Sequence, residues 1–464
     1  MTVFNFSHNL KDLFRPFYAP DAGTVVNTTT GDVNAYTGAA NATGAMSPGM
    51  KTYYDTELLE NARPRLIFSQ LGKKQILPKN HGETVEWRKW NTFAKAMTPL
   101  QEGVIPSGQK FGQTSINVSI DQHGAYTSVS DRLNYHHVDN VILGATEEMG
   151  AAGGETADTL VRNELCTGTS VIFADTLNNS GVPTGTPTGR WGMAADNNRL
   201  TPDMVNKAAT FLKKQKAPTF EGGKYVAVIH PSATYDLRSS PEWIEAHKYA
   251  ATREIFEGEI GELHGVRFVE STTAPIFKGD TLFSSSQQYL SYSAYTGSDN
   301  TASAQFGSTS AYKITVSETL TDDIAKALVG RKIHVYDSSA TAMTETLEII
   351  GATKTGGYIW VNKAPATTLA SGDLFYPGEG GADTTNGAFA VYGTLFFGKD
   401  AFGVVDPEGM GIEMIIKDAS QVGGPLNQFS TVGYKFETAT KILYQERMVR
   451  VESCSAYSLV DDAN

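Results

Sequence analysis

The period of the apolar positions changes several times along the chain, and each change marks an element. Leu10, Leu13, Phe14, Phe17 and Tyr18 recur every three or four residues, the spacing of one or two amphipathic helical turns able to dock onto a neighbour. The stretch Ala22 to Met50 that follows is mostly Gly, Ala, Thr and Asn with Asp32 as its single charge. It has little apolar surface to set against the entropy of ordering and reads as an arm. Tyr53, Leu58, Leu59, Leu66 and Ile67 return to helical spacing, and Pro64 divides them into two short helices. The period then drops to two. Val85 and Trp87 alternate with Glu86 and Arg88, and Ile116, Val118 and Ile120 alternate with Asn117 and Ser119, which predicts strands over Glu83–Trp90 and Thr114–Asp121. The loop between them, Asn91 to Gln113, is far longer than the ~2–5 residues of a hairpin turn.

Val138, Val141, Ile142, Ala145, Met149, Ala152, Ala157, Leu160 and Val161 form one stripe of a helix of about 28 residues, roughly 40 Å long. Gly144, Gly150, Gly153 and Gly154 weaken it by about 1 kcal/mol each relative to alanine, so packing must hold it or it bends. Ser180 to Trp191 reads as loop. A helix is expected from Thr201, as N-cap, with Pro202 at its first position, to about Lys216. The run YVAVIH (Tyr225–His230) is a buried strand, followed by short helices near Ser232–Arg238 and Pro241–Ala250 and a strand at Val266–Glu270. Thr281 to Tyr312 is rich in Ser, Thr, Tyr and Gln with Asp299 as its one charge, and marks a boundary. Short strands at Lys332–Tyr336, Glu345–Ile350, Gly357–Val361 and Asp373–Tyr376, with Gly-rich turns between, suit a small β-barrel or sandwich inserted in the main body. Thr431 to Val451 alternates again and is expected to be two strands broken near Thr438–Thr440.

Composition narrows the function. The chain has 464 residues, 38 Lys+Arg against 50 Asp+Glu, a net charge of −12 and 2 cysteines. That length predicts two or more domains. An acidic balance offers no broad surface for duplex binding. Cys166 and Cys454 lie far apart without a C-x-x-C spacing and read as buried thiols. No apolar run approaches ~18 residues and the N-terminus lacks a basic-then-apolar leader, so no membrane partner is expected.

Sites for chemistry are few. Phosphate-loop, nucleophile-elbow, zincin and EF-hand patterns are absent from the sequence. Asp131, His136, His137 and Asp139 are the best metal candidate, but adjacent histidines on a strand face opposite ways, and a structural pair is the expectation. Glu147-Glu148, Glu254 to Glu262 and Asp322-Asp323 read as solvated faces rather than acid–base pairs. Tyr289, Tyr292, Tyr295 and Tyr312 either form an interaction surface or anchor a loop. The expectation is a protein with no catalytic, cofactor-binding or metal residues, whose protrusions grip copies of itself.

Five strings carry a family resemblance: LQEGVIPSGQKF (Leu100–Phe111), SIDQHGAYTSVSD (Ser119–Asp131), NELCTGTSV (Asn163–Val171), GEIGELHGVRFVEST (Gly258–Thr272) and VYGTLFFGKDAFGVVD (Val391–Asp406). They resemble the major capsid proteins of tailed bacteriophages, in a podovirus-type branch. The resemblance implies an α+β Hong Kong-97-type fold. Residues 1–50 would be the N-terminal arm. Residues 51–199 would belong to a peripheral domain with an extended loop at 83–121 and a spine helix at 138–166. An axial domain would cover 200–279 and 388–410, an inserted all-β domain 280–387, and a peripheral return 411–464. It implies self-assembly into hexamers and pentamers of an icosahedral shell around double-stranded DNA, put together in the host bacterial cytoplasm, with portal, scaffolding and decoration proteins as further partners. Lys95, Glu102, Pro106 and Lys110 in the extended loop, with Phe14 and Phe17 in the arm, are the candidate intersubunit contacts. Two other readings stand beside it: a carbohydrate-binding phage or cell-surface structural protein, motivated by the Tyr/Ser-rich stretch and the inserted β-module, and a glycoside hydrolase on a β-rich scaffold.

Overall fold

The computed structural model describes residues 26, 27 and 67–464, except 80, 81, 96, 98, 100, 101, 104, 106, 107, 138, 139, 179, 194, 249–258, 281, 285, 286, 288, 300, 303–305, 307–309, 337–341, 367, 384–386, 409, 410 and 423–426. The helical turns expected at Leu10–Tyr18, with Phe14 and Phe17, lie outside the described residues. So do Pro106, nearly all of the arm, and the 51–66 part of the two helices expected up to Leu71.

The chain divides into two units, one of residues 1–63, 121–156 and 406–438, the other of 64–120, 157–405 and 439–464. In the first, the long strand Phe429–Ile442 runs antiparallel to Asp121–Ser130 over ten pairs, from Phe429 opposite Ser130 to Thr438 opposite Asp121. The strand Glu413–Lys417 pairs along the other edge. Val26–Asn27 adds to Ser128–Val129 in parallel. Directly after the strand, Ser130 caps a short helix, Asp131–His136, its hydroxyl accepting from the Leu133 amide at 3.3 Å. His136 therefore sits on a helix and not on the expected strand, because a serine N-cap switches the backbone period at that point. Asp139, the fourth member of the metal candidate, lies outside the described residues.

The second unit is built on a mixed sheet in the order Glu259–Leu263, Val266–Glu270, Tyr225–Ile229, Val391–Phe397, Met448–Ser453 and Val171–Phe173. All five residues of Tyr225–Ile229 and all seven of Val391–Phe397 are buried, the continuous apolar pattern of strands covered on both faces. On one face Tyr225, Ala227 and Ile229 meet Met204, Val205, Ala208 and Leu212 of the helix Pro202–Lys214. On the other, Val228, Leu395 and Phe397 meet Val161, Leu165 and Phe68. Thr201 has the extended backbone of an N-cap, but its side chain makes no capping hydrogen bond.

The remaining strands of this unit close a six-stranded barrel in the order Leu290–Ser298, Tyr312–Val316, Tyr358–Val361, Ala342–Thr353, Lys332–Tyr336 and Leu374–Pro377. Its interior holds Leu290, Ile314, Val316, Ile333, Val335, Leu347, Ile349, Ile359, Val361 and Phe375, and no sheet edge is left exposed in a closed barrel. In the chain it lies between two paired strands of the main sheet, Ile276–Phe277 and Val391–Phe397. The serine- and tyrosine-rich stretch thus supplies a barrel strand rather than a loop. Tyr292 packs on Phe375 and Tyr289 on Tyr376, ring centroids 6.5 and 5.4 Å apart. Tyr289 and Tyr292 thus anchor the module, whereas Tyr295 is 40% exposed on its strand.

The long helix spans Val141–Cys166, 26 residues without a break. Among the described residues of its expected stripe only Val161 is fully buried, whereas Asp158 and Arg162, which apolar spacing ignores, are 1% and 3% exposed. Asp158 accepts the backbone N–H groups of Ile67 and Ser69 at 3.2 and 2.9 Å, fixing the start of the helix Phe68–Leu71. Arg162 donates to the Thr273 carbonyl at 3.2 Å. Near the C-terminus the expected strand break moves. Phe429–Ile442 continues through Thr438–Thr440, where its pairing passes from Asp121–Ser130 to Phe402–Val405, and the interruption comes at the turn Gln445–Arg447. Neither cysteine is in a disulfide; Cys454 is buried as expected, but Cys166 is only half-buried.

Candidate functional site

The strands Thr84–Trp90 and Gln113–Ser119 pair antiparallel over seven residues, from Thr84 opposite Ser119 to Trp90 opposite Gln113. The ladder continues one step further through Asn91 N–H donating to the Gly112 carbonyl at 2.9 Å, and the Gln109 side-chain amide donates across to the Ala94 carbonyl at 2.9 Å. The described residues flanking the strands therefore extend the hairpin, and Gly103 takes a left-handed backbone at φ +77°.

Alternation gives the hairpin two different ends. At its root Val85 is buried with Val405 and Ala439, and Leu77, Trp87, Val118 and Ile120 pack around them. Further out, Trp90, Phe93 and Phe111 form an aromatic stack: Trp90 and Phe111 lie 4.2 Å apart at 14°, Phe93 and Phe111 5.1 Å apart at 17°. These rings are 62%, 53% and 52% exposed, and beyond them Met97 is 83% and Ile105 93% exposed. Large apolar side chains cluster at such exposure chiefly where a partner covers them. Lys95, Glu102 and Lys110, expected from sequence to make intersubunit contacts, lie exposed on this same outer part of the hairpin. The sequence reading placed the loop but passed over the aromatic stack, although Trp90, Phe93 and Phe111 are visible as the bulky residues flanking a Pro/Gly-rich loop.

A cleft opens at the root, lined by Lys73, Trp87, Arg88, Lys89, Tyr444 and Arg447, with Asp400 as its one acidic residue. The Lys89 Nζ sits 5.0 Å and the Arg447 guanidinium 3.7 Å from the Tyr444 ring centroid. Arg88 is bound to Glu86 by two contacts, 3.1 and 3.3 Å.

Two polar clusters elsewhere in the larger unit bind their own members in structural roles. Arg190 makes two 2.7 Å hydrogen bonds to Glu452 and reaches the Glu379 carbonyl at 3.0 Å. Asp461 accepts from Tyr392, Ser458 and Ser232 at 2.7, 2.7 and 3.0 Å. Burial alone would raise its carboxyl, and these three donors outweigh that and hold it below the usual carboxylate range. Burial pushes the neighbouring His230 imidazole below its ordinary value, against the pull of Asp461, and His230 Nδ1 accepts the Ser232 N–H at 3.2 Å. Among the described residues there is no cluster of three or more His, Cys, Asp or Glu placed to hold a metal ion, and no helix is long and apolar enough to cross a membrane.

No family model and no curated protein matches the chain. Among solved structures it is similar to the capsid of cyanophage P-SCSP1u, with TM-score 0.48, 14% identity and coverage of 90% of this chain and 98% of that one. The capsid of Ralstonia phage GP4 gives TM-score 0.48 and 13% identity over 92% and 100% of the two chains. The head of Helicobacter pylori bacteriophage KHP40 gives 0.48 and 9% over 88% and 95%. This chain is thus a mixed helix-and-strand protein whose structural neighbours are phage capsid and head structures.

Proposed function

We propose that this protein is the major capsid protein of a tailed bacteriophage, a non-enzymatic subunit that assembles with copies of itself into an icosahedral shell around double-stranded DNA. The observation that carries the reading is the extended hairpin, buried at its root and bearing Trp90, Phe93, Met97, Ile105 and Phe111 exposed towards its far end. A lone subunit gains nothing from that surface. Covering it would contribute about 25 cal/mol per Å² of apolar area removed from water, and a closed shell repeats that contact at every subunit. The resemblance of the five sequence strings to tailed-phage capsid proteins supports another copy of the chain as that partner.

In this reading the hairpin is the extended loop that lies over a neighbour, Lys95, Glu102, Pro106 and Lys110 are among its contacts, and Val141–Cys166 is the spine helix. The arm with Phe14 and Phe17 is a second grip, and the barrel is an inserted, surface-facing domain. Modest contacts made many times keep the shell correctable while it grows. Deleting Ala94–Phe111 is expected to leave a subunit with the circular dichroism and unfolding midpoint of the parent but no shells by electron microscopy. Normal shells from that variant would refute the assignment of the hairpin.

A further inference from the structure

We propose that the cleft at the root of the hairpin receives a carboxylate-bearing segment of a second copy of this chain. This rests on the shell-forming reading and adds a polar contact to the apolar one. Arg88 is already matched by Glu86, but Lys73, Lys89 and Arg447 have no carboxylate partner among the described residues. Lys89 and Arg447 are instead gathered on one tyrosine ring, whose π-face partly compensates two like charges brought close together. Arg447 is positioned further by donating to the Lys399 carbonyl at 3.3 Å. Cations oriented in advance by aromatic and backbone contacts lose little freedom when an anion arrives, which is how a site gains affinity without many contacts.

The chemistry of the anion follows from charge. A duplex is held by a broad row of cations that displaces counterions along its backbone, whereas this cleft offers three, with Asp400 at its wall, on a chain of net charge −12. Such a chain disfavours a polyanion at long range yet carries carboxylates for its copies to offer, among them exposed Asp323. The cleft also shares a strand with the apolar end of the hairpin, since Lys89 is followed by Trp90. A neighbour covering one lies beside the other.

The test uses the full chain and the double variant Lys89→Gln/Arg447→Gln. Binding of a fluorescein-labelled hepta-glutamate peptide to unassembled subunits is expected to weaken at least tenfold in the variant, while a labelled 20-base-pair duplex binds neither protein more tightly than the peptide. The protein concentration needed for particles is expected to rise tenfold or more. Equal peptide binding by both proteins, tighter binding of the duplex, or particles at an unchanged concentration would overturn the proposal. Should the double variant fail to fold, Lys73→Glu, at an exposed position, carries the same three measurements. If the parent chain itself forms no particles, the shell-forming reading and with it the second-copy partner fall, and the peptide arm alone decides whether the cleft binds carboxylates.

Discussion

His230 and Asp461 tie the acid stability of the larger unit to two particular atoms. The Nδ1 of His230 accepts the Ser232 N–H and so must be unprotonated in the fold, and burial lowers its affinity for a proton. The unfolded chain, with an ordinary imidazole near pH 6.5, takes up that proton first, so stability is complete above that value and falls as pH drops through it towards the folded value. Asp461 has the same sign at lower pH. Its carboxyl is held below the usual range, so its contribution is present above an ordinary aspartate value near pH 4 and is lost as pH falls through the folded one. Urea unfolding is expected to show a midpoint that declines from pH 7 to pH 5, and His230→Asn, whose side-chain oxygen can accept the same N–H, is expected to flatten that decline. Parallel pH profiles for parent and variant would remove His230 from the account.

The long helix shows how an element can be legible while its environment is not. Its length followed from apolar spacing, but the charges Asp158 and Arg162 are buried where periodicity assigns only apolar residues a place, because each meets a backbone partner far off in the chain. Its glycines divide in the same way. A methyl group on Gly150 meets nothing within 4 Å, whereas one on Gly153 would lie 3.2 Å from the Tyr434 ring and 3.3 Å from Ile412. Gly150→Ala is expected to raise stability by about 0.5–1 kcal/mol through reduced backbone entropy, and Gly153→Ala to give no gain. Thermal melts of the unassembled subunit check both; equal gains would mean that the helix does not pack as described. The hairpin strands were readable because Val85–Trp87 and Ile116–Ile120 alternate strictly. Asp121–Ser130 was not, since its run of Asp, Gln, His and Gly looks like turn chemistry and its order comes from ten cross-strand pairs with a segment some 300 residues away. Leu290–Ser298 was hidden likewise by polar residues on the barrel's outer side.

At the scale of the whole molecule, the parts divide between those that complete a core and those that leave surface uncovered. The main sheet has helices on both faces and the barrel closes on itself, so neither leaves a large apolar face open. The hairpin does. Its position and length were legible in sequence, while the stacked rings and the cation-lined cleft needed three dimensions to bring Trp90 to Phe111 and Lys89 to Tyr444. Sedimentation velocity of the purified full-length chain tests the central claim most directly. The account predicts megadalton particles in equilibrium with free subunits, and a sharp monomer or a small defined oligomer at every concentration and salt would contradict it.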